Sequence, residues 1–257
     1  MVRRVMPVDR RVTRAECLEG GWRPSVASTG QPGSKPPRAM RRSRQCCPGS
    51  RRTIGAAAVR KKAATSDIVL GMVGGTGTSL RELRDRAILL LGFSGAFRRS
   101  ELVALNLGDI EWTTEGALVT IRRSKTDQEG VGRRVGIPRG DIACPVTALG
   151  AWIEAAGIGE GAVFRRVFNR RAQRVGDQRL AARNVASVVK AAAAKLGLDP
   201  ATFGGHSLRS GLVTTAVKRG VNLMKVCDQT GHKSLEMLRV YTRDAELFAG
   251  NAAAGLL

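Results

Sequence analysis

Between Ser79 and Gly95 the chain spells a helix that water cannot surround. Ser79 and Glu82 form the Ser-x-x-Glu pattern in which each residue can satisfy a free backbone N–H of the other at a helix start. The segment that follows carries Leu83, Ile88, Leu89, Leu90, Leu91 and Phe93, and Gly95 supplies a stop. A helix apolar on most of its faces is stable only when other elements cover it. The rest of the ordered chain must therefore be arranged around this segment.

The 257 residues are enough for one large domain or two small ones, and for a sizeable core. Hydrophobic residues make up 43% but aromatics only 4%, so that core is aliphatic. Forty-three Lys and Arg against 21 acids, a net charge of +22, points to a polyanion as partner. No apolar run is long enough to span a bilayer, and the basic N-terminus lacks the apolar stretch of a signal peptide. The five cysteines, Cys17, Cys46, Cys47, Cys144 and Cys227, contain no Cys-x-x-Cys, and with two histidines a zinc site is not expected. Reduced thiols in a cytoplasm fit this usage.

The charge is uneven. Residues 1–62 hold 16 Lys and Arg and 3 acids, a net of +13, and are rich in Pro, Gly and Ser without helix or strand periodicity. They read as a disordered basic extension. Two accounts stay open for it, a tail that adds nonspecific nucleic-acid affinity or a stretch that is in part not native coding sequence. Residues 63–257 are expected to form the folded domain. Ser66 is placed as the cap of a short helix through Val73, and further helices are expected at about 100–105, 145–156, 181–196, 208–219 and 235–248. Short strands separated by Gly-containing turns are expected at 109–112, 117–121 and 133–137. The fold class is α+β, a mostly helical domain with one small antiparallel three-stranded sheet.

The scarce reactive residues gather late in the chain. The two histidines, His206 and His232, and the single tyrosine, Tyr241, all lie in its last fifth. A tyrosine attacking a phosphodiester starts from a phenol of pKa about 10 and needs cations on the nonbridging oxygens and a proton donor for the leaving sugar oxygen. Guanidinium suits the first task because it presents paired donors in a fixed plane. In His-Ser-Leu-Arg, His206 and Arg209 are three apart and share a face at the start of a helix, where free backbone N–H groups also favour an anion. His232 and Tyr241 are nine apart, about half a turn out of phase on one continuous helix. They converge only if His232 precedes the helix, which the Thr-Gly-His-Lys-Ser turn permits. Lys125, in Arg-Arg-Ser-Lys-Thr-Asp, falls on a hairpin tip, and Arg98 falls where one helix ends and the next begins. Each of these has an ordinary structural or surface reading when taken alone. Their joint occurrence is the specific signal.

In that order and spacing, from about Ser66 to Leu257, the chain resembles the tyrosine recombinase, or phage integrase, family. Phe-Arg-Arg-Ser-Glu-Leu resembles the box in which the arginine is followed three residues later by glutamate, which places the catalytic arginine on Arg98 with Glu101 as supporting acid. Ser-Lys-Thr-Asp resembles the lysine hairpin, His-Ser-Leu-Arg the His-x-x-Arg box, and Gly-His-Lys-Ser with Val-Tyr-Thr the final box. The resemblance implies Tyr241 as nucleophile, Arg98, Arg209 and His232 as stabilisers of the transition state, Lys125 as proton donor to the leaving 5′-oxygen, and His206 as assistant in proton transfer. It implies cleavage and rejoining of double-stranded DNA through a 3′-phosphotyrosine, without metal or other cofactor, by a homotetramer on paired sites. A type IB topoisomerase uses a similar residue set, but the Gly-His-Lys-Ser turn before the tyrosine favours the recombinase. A noncatalytic DNA-binding remnant is the rival of another class. The helical DNA-clamping domain that such enzymes carry is expected to be absent or truncated here, since the 62 residues before the match lack its pattern.

Overall fold

The computed structural model describes residues 61–124, 132–168, 174–232 and 234–238. The expectations for residues 1–60, the hairpin tip with Lys125, and the chain beyond 238 with Tyr241 fall outside the described residues. Those that are described belong to one compact unit, Ala57–Leu257. It contains seven α-helices among the described residues: α1 (Ser66–Gly74), α2 (Leu80–Ser94), α3 (Arg99–Ala104), α4 (Pro145–Ala155), α5 (Ala182–Lys195), α6 (Ser207–Lys218) and α7 (Leu223–Thr230). No helix among them is long and apolar enough to cross a membrane.

Helix α2 lies at the centre, packed against α1, α4, α5 and α6. Its start is built as the sequence implies. Ser79 Oγ accepts from the Glu82 backbone N–H at 3.4 Å and donates to the Glu82 carboxylate at 2.5 Å. Ala87, Ile88 and Leu91 are fully buried and Leu89 nearly so, each large aliphatic group contributing roughly 2 kcal/mol of burial. Helix α6 approaches the chain at Ala64 so closely that a Cβ on Gly211 would lie 1.7 Å from the Ala64 carbonyl oxygen. In the same strip Ala64 N–H donates to Ser207 O at 2.8 Å, and Ser66 N–H to Thr215 Oγ1 at 3.1 Å. The cap of α1 is Thr65 rather than Ser66: its backbone is extended, and its carbonyl accepts the first helical bond from Val69 N–H at 2.9 Å.

The expected sheet forms in the order β1 (Ile110–Trp112), β2 (Gly116–Ile121), β3 (Arg133–Pro138), antiparallel throughout. Val119 sits opposite both Ile110 and Val135, so the buried aliphatic side chains of all three strands share one face. A second sheet, the hairpin of β4 (Arg165–Phe168) and β5 (Arg174–Arg179), was not anticipated. Its strands hold mostly arginine and polar residues and bury little, so no apolar alternation marks them. Helix α7 was also missed. It has an Asn222 cap accepting from Met224 N–H at 2.8 Å and Gly231 at φ +67° past its end, but it is only eight residues long. The last expected helix begins, in its described part, as a 3-10 turn at Leu235–Met237.

Candidate functional site

Five of the residues singled out by sequence are described, and three different segments carry them. Arg98 is the residue before α3, in extended backbone after the Gly95 stop of α2. Its guanidinium meets Glu101 Oε1 at 2.6 Å, while its backbone N–H donates to Glu101 Oε2 at 3.0 Å. The Glu101 side chain is 1% exposed, and two cations reach its carboxylate. Arg133, the first residue of β3, is the second of these at 3.5 Å. Arg133 also donates to the Gln229 carbonyl on α7 at 2.9 Å, and its buried Nε has no hydrogen-bond partner among the described residues. Burial foremost pulls the Arg133 guanidinium below the usual arginine range, with Glu101 opposing and Arg98 reinforcing the shift.

Arg209, in the first turn of α6, is 2% exposed. One of its nitrogens donates to Ala96 O at 2.8 Å and another lies 3.0 Å from His232 Nε2. Ala96 is the described non-glycine residue with positive φ, at 46°. That left-handed backbone costs about 1 kcal/mol and is held by complete burial of the residue, and the Arg209 guanidinium bonds to its carbonyl. His232 follows the left-handed Gly231 and precedes the 3-10 turn, so it stands outside any helix, as convergence with a later tyrosine requires. Its Nδ1 lies 2.7 Å from the hydroxyl of fully buried Thr230.

The electrostatics disfavour the charged form of both histidines. Partial burial foremost, then Arg209, Arg98, His206 and Arg133, hold His232 at about 4. His206, which caps α6 and retains an exposed face, is lowered by desolvation first and then by Arg209 and Arg98. Three guanidinium groups thus share the site with the Glu101 carboxylate, an arrangement that attracts an oxyanion and supplies donors to it. Among the described residues no group of three His, Cys, Asp or Glu is placed to hold a metal ion.

Sequence reading missed Arg133, Gln229 and Thr230. Gln229 donates to Ser94 O at 2.8 Å and Gly136 O at 3.1 Å, tying α7 to α2 and β3. Arg133 and Gln229 are 96 positions apart, and only the folded sheet brings them together. Thr230 was visible as the residue before Gly-His, but its role depends on a hydroxyl orientation that spacing does not encode.

The family model for the phage integrase family matches residues 71–247. An integrase/recombinase xerD homolog of Selenomonas ruminantium is 39% identical over 175 residues, 67% of this chain and 51% of that protein. A tyrosine recombinase XerC of Pelotomaculum thermopropionicum is 30% identical over 162 residues, 62% of this chain and 49% of that protein. The chain thus spans about half the length of the curated relatives it matches. Among solved structures, the XerH site-specific recombinase in a post-cleavage complex with its difH substrate has a TM-score of 0.58 at 18% identity, covering 76% of this chain and 53% of that one. The XerA recombinase has a TM-score of 0.55 at 18% identity, covering 73% and 60%. These likenesses show the fold, and the match over most of the chain shows that it belongs to the phage integrase family.

Proposed function

We propose that this chain is a site-specific DNA recombinase or integrase that cleaves and rejoins strands of double-stranded DNA through a 3′-phosphotyrosine. The observation that carries the reading is the convergence of Arg98 and Arg209, from separate elements, beside His232 and His206. Family membership supports it.

In this mechanism the scissile phosphate settles among Arg98, Arg209 and His232. Their N–H groups meet the nonbridging oxygens as the fifth bond to phosphorus forms. Tyr241 Oη attacks phosphorus, the P–O5′ bond breaks, and Lys125 protonates the departing 5′-oxygen. His206 assists the transfer of the tyrosine proton. Glu101 acts through Arg98 by fixing its guanidinium. Attack of a 5′-hydroxyl from a partner duplex reverses the step and exchanges strands, so the phosphodiester energy is kept and no external energy source is needed. The working assembly is a homotetramer on paired sites in the cytoplasm, and the folded catalytic unit is residues 63–257.

The test is covalent trapping. Nicked duplexes carrying candidate crossover sequences from DNA flanking the coding region are incubated with the protein and resolved under denaturing conditions. Wild type yields a protein–DNA adduct, and Tyr241→Phe yields none. Plasmid relaxation without joining of two sites would instead favour a topoisomerase, and absence of adduct on every site would favour a binding remnant.

A further inference from the structure

We propose that Thr230 is a positioning residue that fixes His232 in the Nδ1–H tautomer, making Nε2 the ring atom that changes partner when a phosphate enters. The proposal rests on the reading of His232 as part of the strand-transfer site. It comes from both ends of one hydrogen-bonded chain. Arg209 can only donate, so the ring nitrogen 3.0 Å from it, Nε2, must accept. At the other end, Thr230 Oγ1 lies 2.7 Å from the Val226 carbonyl, which can only accept. The single hydroxyl proton is thereby directed to Val226, and the oxygen offers a lone pair to Nδ1 at 2.7 Å. Both ends select the same tautomer. The opposite one would set an Nε2 proton against an Arg209 N–H and draw the hydroxyl proton away from Val226. Thr230 is 0% exposed, so water cannot take over its part.

This arrangement has a consequence for phosphate binding. A phosphate oxygen arriving at Nε2 first meets a lone pair. Contact becomes favourable when the ring takes a proton from solvent at Nε2, with Nδ1 still donating to Thr230. The cationic and titratable groups facing the ring that oppose this are Arg209, Arg98, His206 and Arg133. The phosphate charge offsets them, so His232 turns from acceptor for Arg209 into donor to the phosphate, with one proton taken up.

The experiment is NMR of the full chain with ¹³C,¹⁵N-labelled histidine at pH 7. The chain has two imidazoles, and His206→Gln assigns them. Wild-type His232 shows a protonated Nδ1 and a bare Nε2. Thr230→Val, equal in size but without the hydroxyl, gains the Nε2–H form and forms the covalent adduct about fivefold more slowly, the effect of one lost hydrogen bond. Thr230→Ser, which loses only a methyl group, restores both. An Nε2–H ring in wild type, an unchanged tautomer in Thr230→Val, or a changed tautomer with an unchanged rate each overturns the proposal. Should wild type form no adduct at all, the strand-transfer reading fails, while the NMR spectra still decide what Thr230 does to the ring.

Discussion

Acidification from pH 7 to 5 tests the electrostatics of the site without any DNA. Unfolded, His232 protonates near its ordinary 6.5, whereas in the folded chain it does so at about 4. Between those values the unfolded chain holds more protons, so stability rises with pH through this window and falls as the solution is acidified. For these two values the loss from pH 7 to 5 is about 2 kcal/mol, and solvent reaching the open side of the ring reduces it to the order of 1 kcal/mol. Below pH 4 the folded ring protonates as well and its contribution stops changing. His206, lowered by the same arginines, adds to the loss in the same direction. Urea unfolding of wild type and His232→Gln at pH 7 and pH 5 measures it. Wild type should lose more stability than the variant across the interval, and high salt should shrink the difference. Burial raises the Asp85 carboxyl in both proteins, so it drops out of the comparison. Equal losses in the two proteins would refute the claim that burial and the surrounding arginines keep His232 neutral.

The other expectations concern single side chains. Glu101→Gln leaves Arg98 and Arg133 beside a neutral amide in a nearly closed site, and should lower stability by about 3 kcal/mol in urea unfolding and slow adduct formation. Gly211→Ala drives a methyl group into the Ala64 carbonyl and should cost about 3 kcal/mol, read as a lowered melting temperature. Lys125→Ala should slow DNA cleavage while leaving DNA binding nearly unchanged in a mobility-shift assay. A large loss of binding would count against its role as the acid.

Much of the fold is written locally. Helix α2 is legible because a capping box, an aliphatic run and a glycine stop agree, and the folded chain puts that helix at the centre. The three-stranded sheet is legible because its strands alternate, with Val119, Val135 and Ile137 turned to one face. Helix α7 escaped because eight residues between Asn222 and Gly231 are too few for a period to assert itself. The β4–β5 hairpin escaped because arginines carry its surface, Arg179 in fact serving to bind the Val103 and Leu105 carbonyls at the end of α3. The site was legible through rare residues in a recurring order, and the folded chain brings Arg98, Glu101, His206, Arg209 and His232 together. The contacts that set their geometry were not. Arg133 reaches Glu101 across 32 positions, and the Ala96 carbonyl meets Arg209 across 113. Such pairings arise from the packing of α2, α6 and β3, which no local pattern states.

The central claim is that Tyr241 attacks the scissile phosphate. Mass spectrometry of the nuclease-trimmed and protease-digested adduct tests it most directly. The account predicts a nucleotide linked through its 3′-phosphate to the peptide containing Tyr241, with a free 5′-hydroxyl on the released strand. A linkage to any other residue, a 5′-phosphate linkage, or an adduct that persists in Tyr241→Phe would contradict it.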